Sequence, residues 1–418
     1  MSTTTTPPLP ASGAAAPAQP TPLHDRALAP DLARGMMLLL IALAHTPWFL
    51  FTATIGVTLM HPADGGAADR IAQAFTIIVV DARTHTMFAF LFAYGIGQLH
   101  ARQISGGTSE RDARRLLRTR HLWMVGFGLV HAVLLWQGDI LGTYGLMGFL
   151  LVPLFFKRRD RTLKIWIGVL LGLGAAFSAA MTMLPAGGVA PTPNLQRLAV
   201  AEGDYVASML LRLTAWAPGL LTGIATLVLP AAFLIGLLAS RHRVLEEPSR
   251  HLPLLRGTAI IGIAVGWGAG AVQALVHIGV LDLPNPAAFG MVHFYTGIFA
   301  GVGYAALFGL IAHRFAARGA TPPLPVRALV SLGRRSLSGY LAQSVVFVPV
   351  LSAWGFALGA QLSSWSALCV GVGTWLLTVV VAHALDRAGI RGPAETLLRK
   401  LTYRSARGRA RKATSSAA

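Results

Sequence analysis

Charge is scarce in this chain. Asp, Glu, Lys and Arg make up 12% of 418 residues and hydrophobic residues 54%, whereas charge fills about a quarter of an ordinary soluble domain. No single globular core needs that much apolar surface, so a soluble domain of this length is excluded. Acidic residues are scarcer still, 16 against 35 basic ones. In a soluble protein such an excess would point to nucleic acid, but here the basic residues sit in short clusters between apolar runs, the pattern of membrane topology. The one cysteine, Cys369, lies inside an apolar run, which excludes both a disulfide framework and a cysteine-based metal site. The first 22 residues carry no charge and have neither the basic nor the apolar region of a signal peptide.

What is present is a succession of apolar runs near 20 residues, the length that crosses a bilayer core of about 30 Å. They predict an all-α, polytopic helix bundle of about ten transmembrane helices at 34–55, 76–99, 119–136, 139–156, 165–184, 217–239, 257–278, 289–312, 336–353 and 363–384. Arg and Lys then cluster in alternate connections: 100–120, 157–164, 240–256, 313–335 and the C-terminal tail. Cytoplasmic loops hold such residues, so both termini are expected in the cytoplasm and the chain in a bacterial inner membrane, with the lipid bilayer as its constant partner and no nucleic acid. Only Arg70, Arg83, Arg197 and Arg212 fall on or near the other side. Residues 1–26 read as a disordered cytoplasmic tail, 27–390 as the transmembrane bundle, and 391–418 as a basic cytoplasmic tail on the anionic inner leaflet. Between 185 and 216 a Pro-rich start precedes a helical stretch (Leu195, Leu198, Tyr205, Met209, Leu210) suited to the interface.

Ionisable residues within membrane helices are expensive and by default functional. Arg34 opens the first helix, and His45, eleven residues and about 16 Å further on, falls on the same face. His131 reaches a similar depth on the third helix. A second group is expected at the outer ends: Asp81 and His85, spaced to share a face of the second helix with Arg83 pointing elsewhere, together with Asp139 at the tip of a tight hairpin, His277, Asp282 and His293. Asp81, Arg83, His85, Asp139 and His293 are the candidate substrate-binding residues. No ligand spacing such as HExxH occurs, and no metal is expected. Gly262, Gly266, Gly268 and Gly270 on one helix, and Gly297, Gly301 and Gly303 on the next, read as close-packing surfaces.

Several segments carry a family resemblance. Asp31-Leu-Ala-Arg34-Gly, Gly-Leu-Val-His131 with Gly138-Asp139-Ile-Leu and Tyr144, Gly333-Arg-Arg-Ser-Leu-Ser-Gly-Tyr340-Leu-Ala-Gln343-Ser, and Arg391-Gly-Pro-Ala-Glu395 with Arg399-Lys-Leu-Thr-Tyr403 resemble the YeiB-like family of bacterial membrane proteins, over about residues 27 to 405. That family is related to the transmembrane acyltransferases, including the type-3 membrane acyltransferases and the heparan glucosaminide acetyltransferases. The relationship implies transfer of an acyl group from cytoplasmic acyl-CoA to a hydroxyl or amine acceptor across the membrane, a glycan, lipid or cell-envelope component. The type-3 enzymes carry an Arg, ten intervening residues and a His on their first helix, a spacing that Arg34 and His45 match where the YeiB-like family commonly has Asn at the second position. On this resemblance Arg34 and His45 are catalytic candidates, joined by His131 at the same depth, and Arg334 and Arg335, or Arg114 and Arg115, would bind the polyanionic acyl-CoA. The competing expectation is a transporter or exporter whose His residues bind substrate or protons, with Pro47, Pro218 and Pro230 breaking helices.

The loop charges generate a topological test. A reporter active only in the cytoplasm should work when fused after Arg250, Arg327 or Ala418 and stay silent at residues 65 and 190. Activity at 190 would contradict the ten-helix count.

Overall fold

A computed structural model describes residues 27–58, 60–183, 194–319 and 321–415. The expected tail 1–26 and the Pro-rich start of the 185–216 connection lie outside these residues. The described chain is all-helical: α1 Leu28–His45, α2 Ala67–Phe75, α3 Arg83–Ser105, α4 Glu110–Leu134, α5 Ile140–Phe155, α6 Asp160–Thr182, α7 Leu195–Ala201, α8 Tyr205–Ala225, α9 Val228–Arg241, α10 Leu252–His277, α11 Pro286–Ala317, α12 Leu324–Arg334, α13 Ser336–Leu351, α14 Ser364–Arg387 and α15 Pro393–Ser415. By length and composition six helical spans can cross a membrane, and a seventh if the bent pair α8–α9 counts as one; α5 and α13 are apolar but shorter. The chain is a multi-pass membrane protein. Its outer surface agrees, since Ile165, Trp166, Phe177, Ile260, Ile261, Val380 and Val381 are exposed on α6, α10 and α14.

Helix starts follow local chemistry. The side chains of Ser109, Asn194, Asp204 and Asn285 accept backbone N–H groups in the first turns of α4, α7, α8 and α11, groups that would otherwise lack a partner. The stretch 195–210 is thus two helices, because the Asp204 cap restarts the second.

Three expected elements differ. The first helix ends at His45, since Pro47 cannot donate the next backbone bond, and continues only as a 3₁₀ turn over Thr46–Phe49. The second is broken: a π turn over Thr76–Val80 gives way to an extended Asp81 and to Ala82 at φ 62°, and α3 restarts at Arg83. The sixth is broken at Leu227, φ 60°, with a bend of 60° between α8 and α9. Segments expected as loops are partly helix. Most of 110–120 extends α4, the amphipathic α12 packs between α1 and α14, and the basic tail forms α15 against α4 and α13.

The glycine surfaces do pack. A Cβ on Gly262 would lie 2.3 Å from the Phe299 carbonyl oxygen, on Gly266 2.4 Å from the Ala300 methyl, and on Gly297 2.4 Å from the Ala82 carbonyl oxygen. Gly268 is the exception, with nothing within 4 Å. The tightest approach joins α12 to α1, where a Cβ on Gly333 would lie 1.7 Å from the Asp31 carbonyl oxygen. Gly333→Ala must therefore push these helices apart, and about 1–3 kcal/mol of stability should be lost. Gly268→Ala should cost nothing. Thermal unfolding of the detergent-solubilised protein separates them, and equal melting temperatures would contradict this packing.

Candidate functional site

Where α1, α3, α4, α12, α13 and α15 meet, they enclose a cavity of about 290 Å³. Arg34, Arg102, Arg120, Arg334, Arg335, Arg391 and Arg399 line it, against the carboxylates of Asp31 and Glu395. Asp31 is buried and organises one wall. Its Oδ1 accepts from Arg34 Nη1 at 3.1 Å, and Oδ2 lies 3.7 Å from Arg334 Nε. Arg34 Nη2 also donates to the Leu91 carbonyl at 3.3 Å, tying α1 to α3.

Arg334 and Arg335, a pair expected to bind acyl-CoA, differ. Arg334 is partly exposed in the wall, 3.8 Å from Asp386. Arg335 is buried and committed: Nη1 reaches Asp386 Oδ1 at 2.7 Å and the Ser331 carbonyl at 3.1 Å, while Nε and Nη2 reach the Ile390 carbonyl at 3.1 and 2.6 Å. It holds the junction of α12, α13 and α14 that shapes the cavity. Glu395 completes that junction, accepting from the Leu337 and Ser338 N–H groups at 2.8 and 3.1 Å and from the Ser338 hydroxyl. The two closing sequence motifs are thus halves of one structure, the α15 carboxylate capping α13.

Two buried residues of the lining are Tyr340 and Leu141. Beyond them is a hydrogen-bonded relay across three helices. His131 Nδ1 lies 3.0 Å from Asp139 Oδ1 and Nε2 lies 2.8 Å from Ser344 Oγ, with all three side chains buried. An ionised carboxylate at Asp139 takes a proton-bearing Nδ1, and a neutral ring then offers Nε2 to the serine hydroxyl. Asp139 Oδ2 also accepts the Gly142 N–H at 2.6 Å, capping α5. The Tyr340 ring lies 5.1 Å from that of His131.

His45, at the end of α1, packs 5.7 Å from the Trp136 ring and lies close enough to His85 and His131 to share their electrostatic environment. His85, in the first turn of α3, is exposed.

The expected outer cluster forms in part. His61 Nε2 meets Asp81 Oδ2 at 2.7 Å, and Arg83 Nη1 meets His293 Nε2 at 3.1 Å. Arg83 is fully buried and donates to the carbonyls of Ile77, Asp81 and Gly266, fastening the broken span to α10. Two of the expected members belong elsewhere. Asp81 precedes the break, so it shares no helix face with His85, which joins His45 and His131. Asp139 is no exposed tip: capping α5 turns it inward to His131. Among the described residues no group of three or more His, Cys, Asp or Glu could hold a metal ion. Sequence reasoning quoted Ser344 and Tyr340 in a motif without giving them a role. Their spacing of four places them on one helical face, but only the fold brings that face to His131.

Residues 239–405 match the family DUF418, described as a protein of unknown function. The DUF418 segment spans α10 to most of α15 and holds Arg334, Arg335, Tyr340, Ser344 and Glu395, while His45, His131 and Asp139 precede it. The chain is also 25% identical over 411 residues to the uncharacterized protein YxaH of Bacillus subtilis (strain 168), covering 93% of this chain and 96% of that protein. To the uncharacterized protein YeiB of Escherichia coli (strain K12) it is 26% identical over 418 residues, covering 91% and 97%.

Asp139 serves a helix cap and a buried imidazole at once. Asp139→Ala should cost about 1–3 kcal/mol, read as a lowered melting temperature in detergent. Asp139→Asn keeps the cap acceptor and should recover most of that loss. Equal destabilisation by both would mean that the charge, not the cap, carries the stability.

Proposed function

We propose that this chain is a membrane acyltransferase that takes an acyl group from acyl-CoA at the arginine-lined cavity. The observation that carries this reading is a cavity lined by seven arginines, with its wall residue Tyr340 packed against a buried His–Asp–Ser relay. CoA offers a match to each, phosphates at one end and a neutral thioester at the other. Guanidinium pairs with phosphate through short, charge-assisted bonds that strengthen away from bulk water. In this proposal the bundle spans a bacterial inner membrane ten times, with cavity and termini in the cytoplasm. Arg34 and Arg334 hold the phosphates. His45 takes the proton of a hydroxyl or amine acceptor, a glycan, lipid or cell-envelope component reaching it from the opposite side past His85.

A transporter is the second reading, favoured by the two broken spans at Ala82 and Leu227, since discontinuous helices often flank transport sites. Radiolabelled acetyl-CoA given to the purified protein with an acceptor panel separates the two. Acyl transfer predicts CoA release. In that assay His45→Ala and His45→Asn should both lower turnover about 10²- to 10⁴-fold, because Asn can hydrogen-bond but cannot accept a proton at neutral pH. Full activity in His45→Asn would remove the general-base role, and absence of CoA release by the wild type would favour transport.

A further inference from the structure

We infer that Ser344 is a nucleophile, activated by His131 and Asp139, that carries the acyl group as a covalent ester between donor and acceptor. The inference rests on the acyl-transfer reading and specifies its chemistry. Serine and threonine hydroxyls inside helices usually bond back to a carbonyl three or four residues earlier. Thr84, Ser240, Thr296 and Ser331 do so here, to Val80, Leu237, Val292 and Arg327. Ser344 does not. Its hydroxyl turns to another helix and meets His131 Nε2 at 2.8 Å, while the other ring nitrogen is held at 3.0 Å by Asp139. A nucleophile against a base that a third group orients is the arrangement by which a weak hydroxyl becomes reactive, recognised by geometry on whatever fold it occurs. Tyr340, one turn earlier on α13, lines the cavity and its ring lies 5.1 Å from that of His131, so the relay stands behind one residue of the cavity wall. The Tyr340 hydroxyl accepts the Ile140 N–H at 3.4 Å and keeps its own proton to donate to the carbonyl oxygen where negative charge develops.

The steps balance. Ser344 Oγ attacks the thioester carbon as His131 Nε2 takes its proton. The C–S bond breaks, and CoA leaves as a thiolate, a leaving group that needs no acid, and is protonated by water in the cavity. The imidazolium stays beside the Asp139 carboxylate. An acceptor hydroxyl or amine then attacks the ester carbon and gives its proton to His45, while Ser344 Oγ departs with the proton from His131. His45 passes its proton to water, offsetting the one taken up by the thiolate.

The test is a half-reaction. The full-length protein in detergent receives radiolabelled acetyl-CoA without acceptor and is quenched, digested and mapped by mass spectrometry. The label should sit on the peptide holding Ser344, survive neutral hydroxylamine and leave at alkaline pH, as an oxygen ester does. Ser344→Ala should bind no label and turn over about 10³-fold slower at an unchanged melting temperature. If Ala impairs folding, the near-isosteric Ser344→Cys decides, since acylation there makes a thioester that neutral hydroxylamine strips. Turnover with acceptor that survives in Ser344→Ala, or label found on His45, would overturn the relay and leave acyl transfer standing. Failure of the wild type to release CoA under any condition would overturn both.

Discussion

A charge inside a bilayer must find its partners within the protein, and this constraint organises the bundle. Lipid offers neither water nor counter-ions, so every buried ionic group must be matched by another side chain or by the backbone. Asp31 answers Arg34 and Arg334, Asp81 answers His61, Asp139 answers His131, and Asp386 answers Arg335. Arg83, whose neighbour Asp81 is engaged, takes three backbone carbonyls and His293 instead. Apart from Asp31–Arg34, which lies within α1, each pairing joins helices or fixes a chain reversal, so the polar groups set the architecture along with the glycine contacts.

The same constraint separates structural from reactive groups. Arg335, Arg83 and Glu395 are committed to backbone groups and to side chains of neighbouring helices, which suits them to holding walls. Arg334, Arg391 and Arg399 stand in the cavity wall with part of their surface open. On the acyl-transfer proposal, such a cluster of cations would attract the phosphates of acyl-CoA, and a low dielectric would strengthen that attraction.

The helical class and the approximate positions of the long apolar helices were legible in hydropathy, because lipid demands length and continuity. The breaks at Ala82 and Leu227 were not, since neither residue is a breaker. Ala82 takes its left-handed turn where Gly297 admits its backbone and Arg83 satisfies nearby carbonyls, conditions set by other helices. Helices α12 and α15 hid behind their charges, which read as loop because the apolar face of α12 is narrow and α15 docks on the bundle through few residues. For the site, the individual ionisable residues were visible as costly occupants of apolar runs. Their grouping was not: depth along a helix can be counted, but Asp139 meets His131 only because a cap turns it inward, and Ser344 is anonymous until α13 faces α4.

The account turns on acyl-CoA lying in the arginine cavity with its thioester at the relay. A cryo-electron microscopy structure with a thioether analogue of acetyl-CoA, which binds but cannot transfer, would test this most directly. The phosphates should lie among Arg34, Arg334, Arg391 and Arg399, with the thioether sulfur beside Tyr340 and Ser344. An analogue bound at the opposite end near Arg83 and His293, or none bound at saturating concentration, would contradict it.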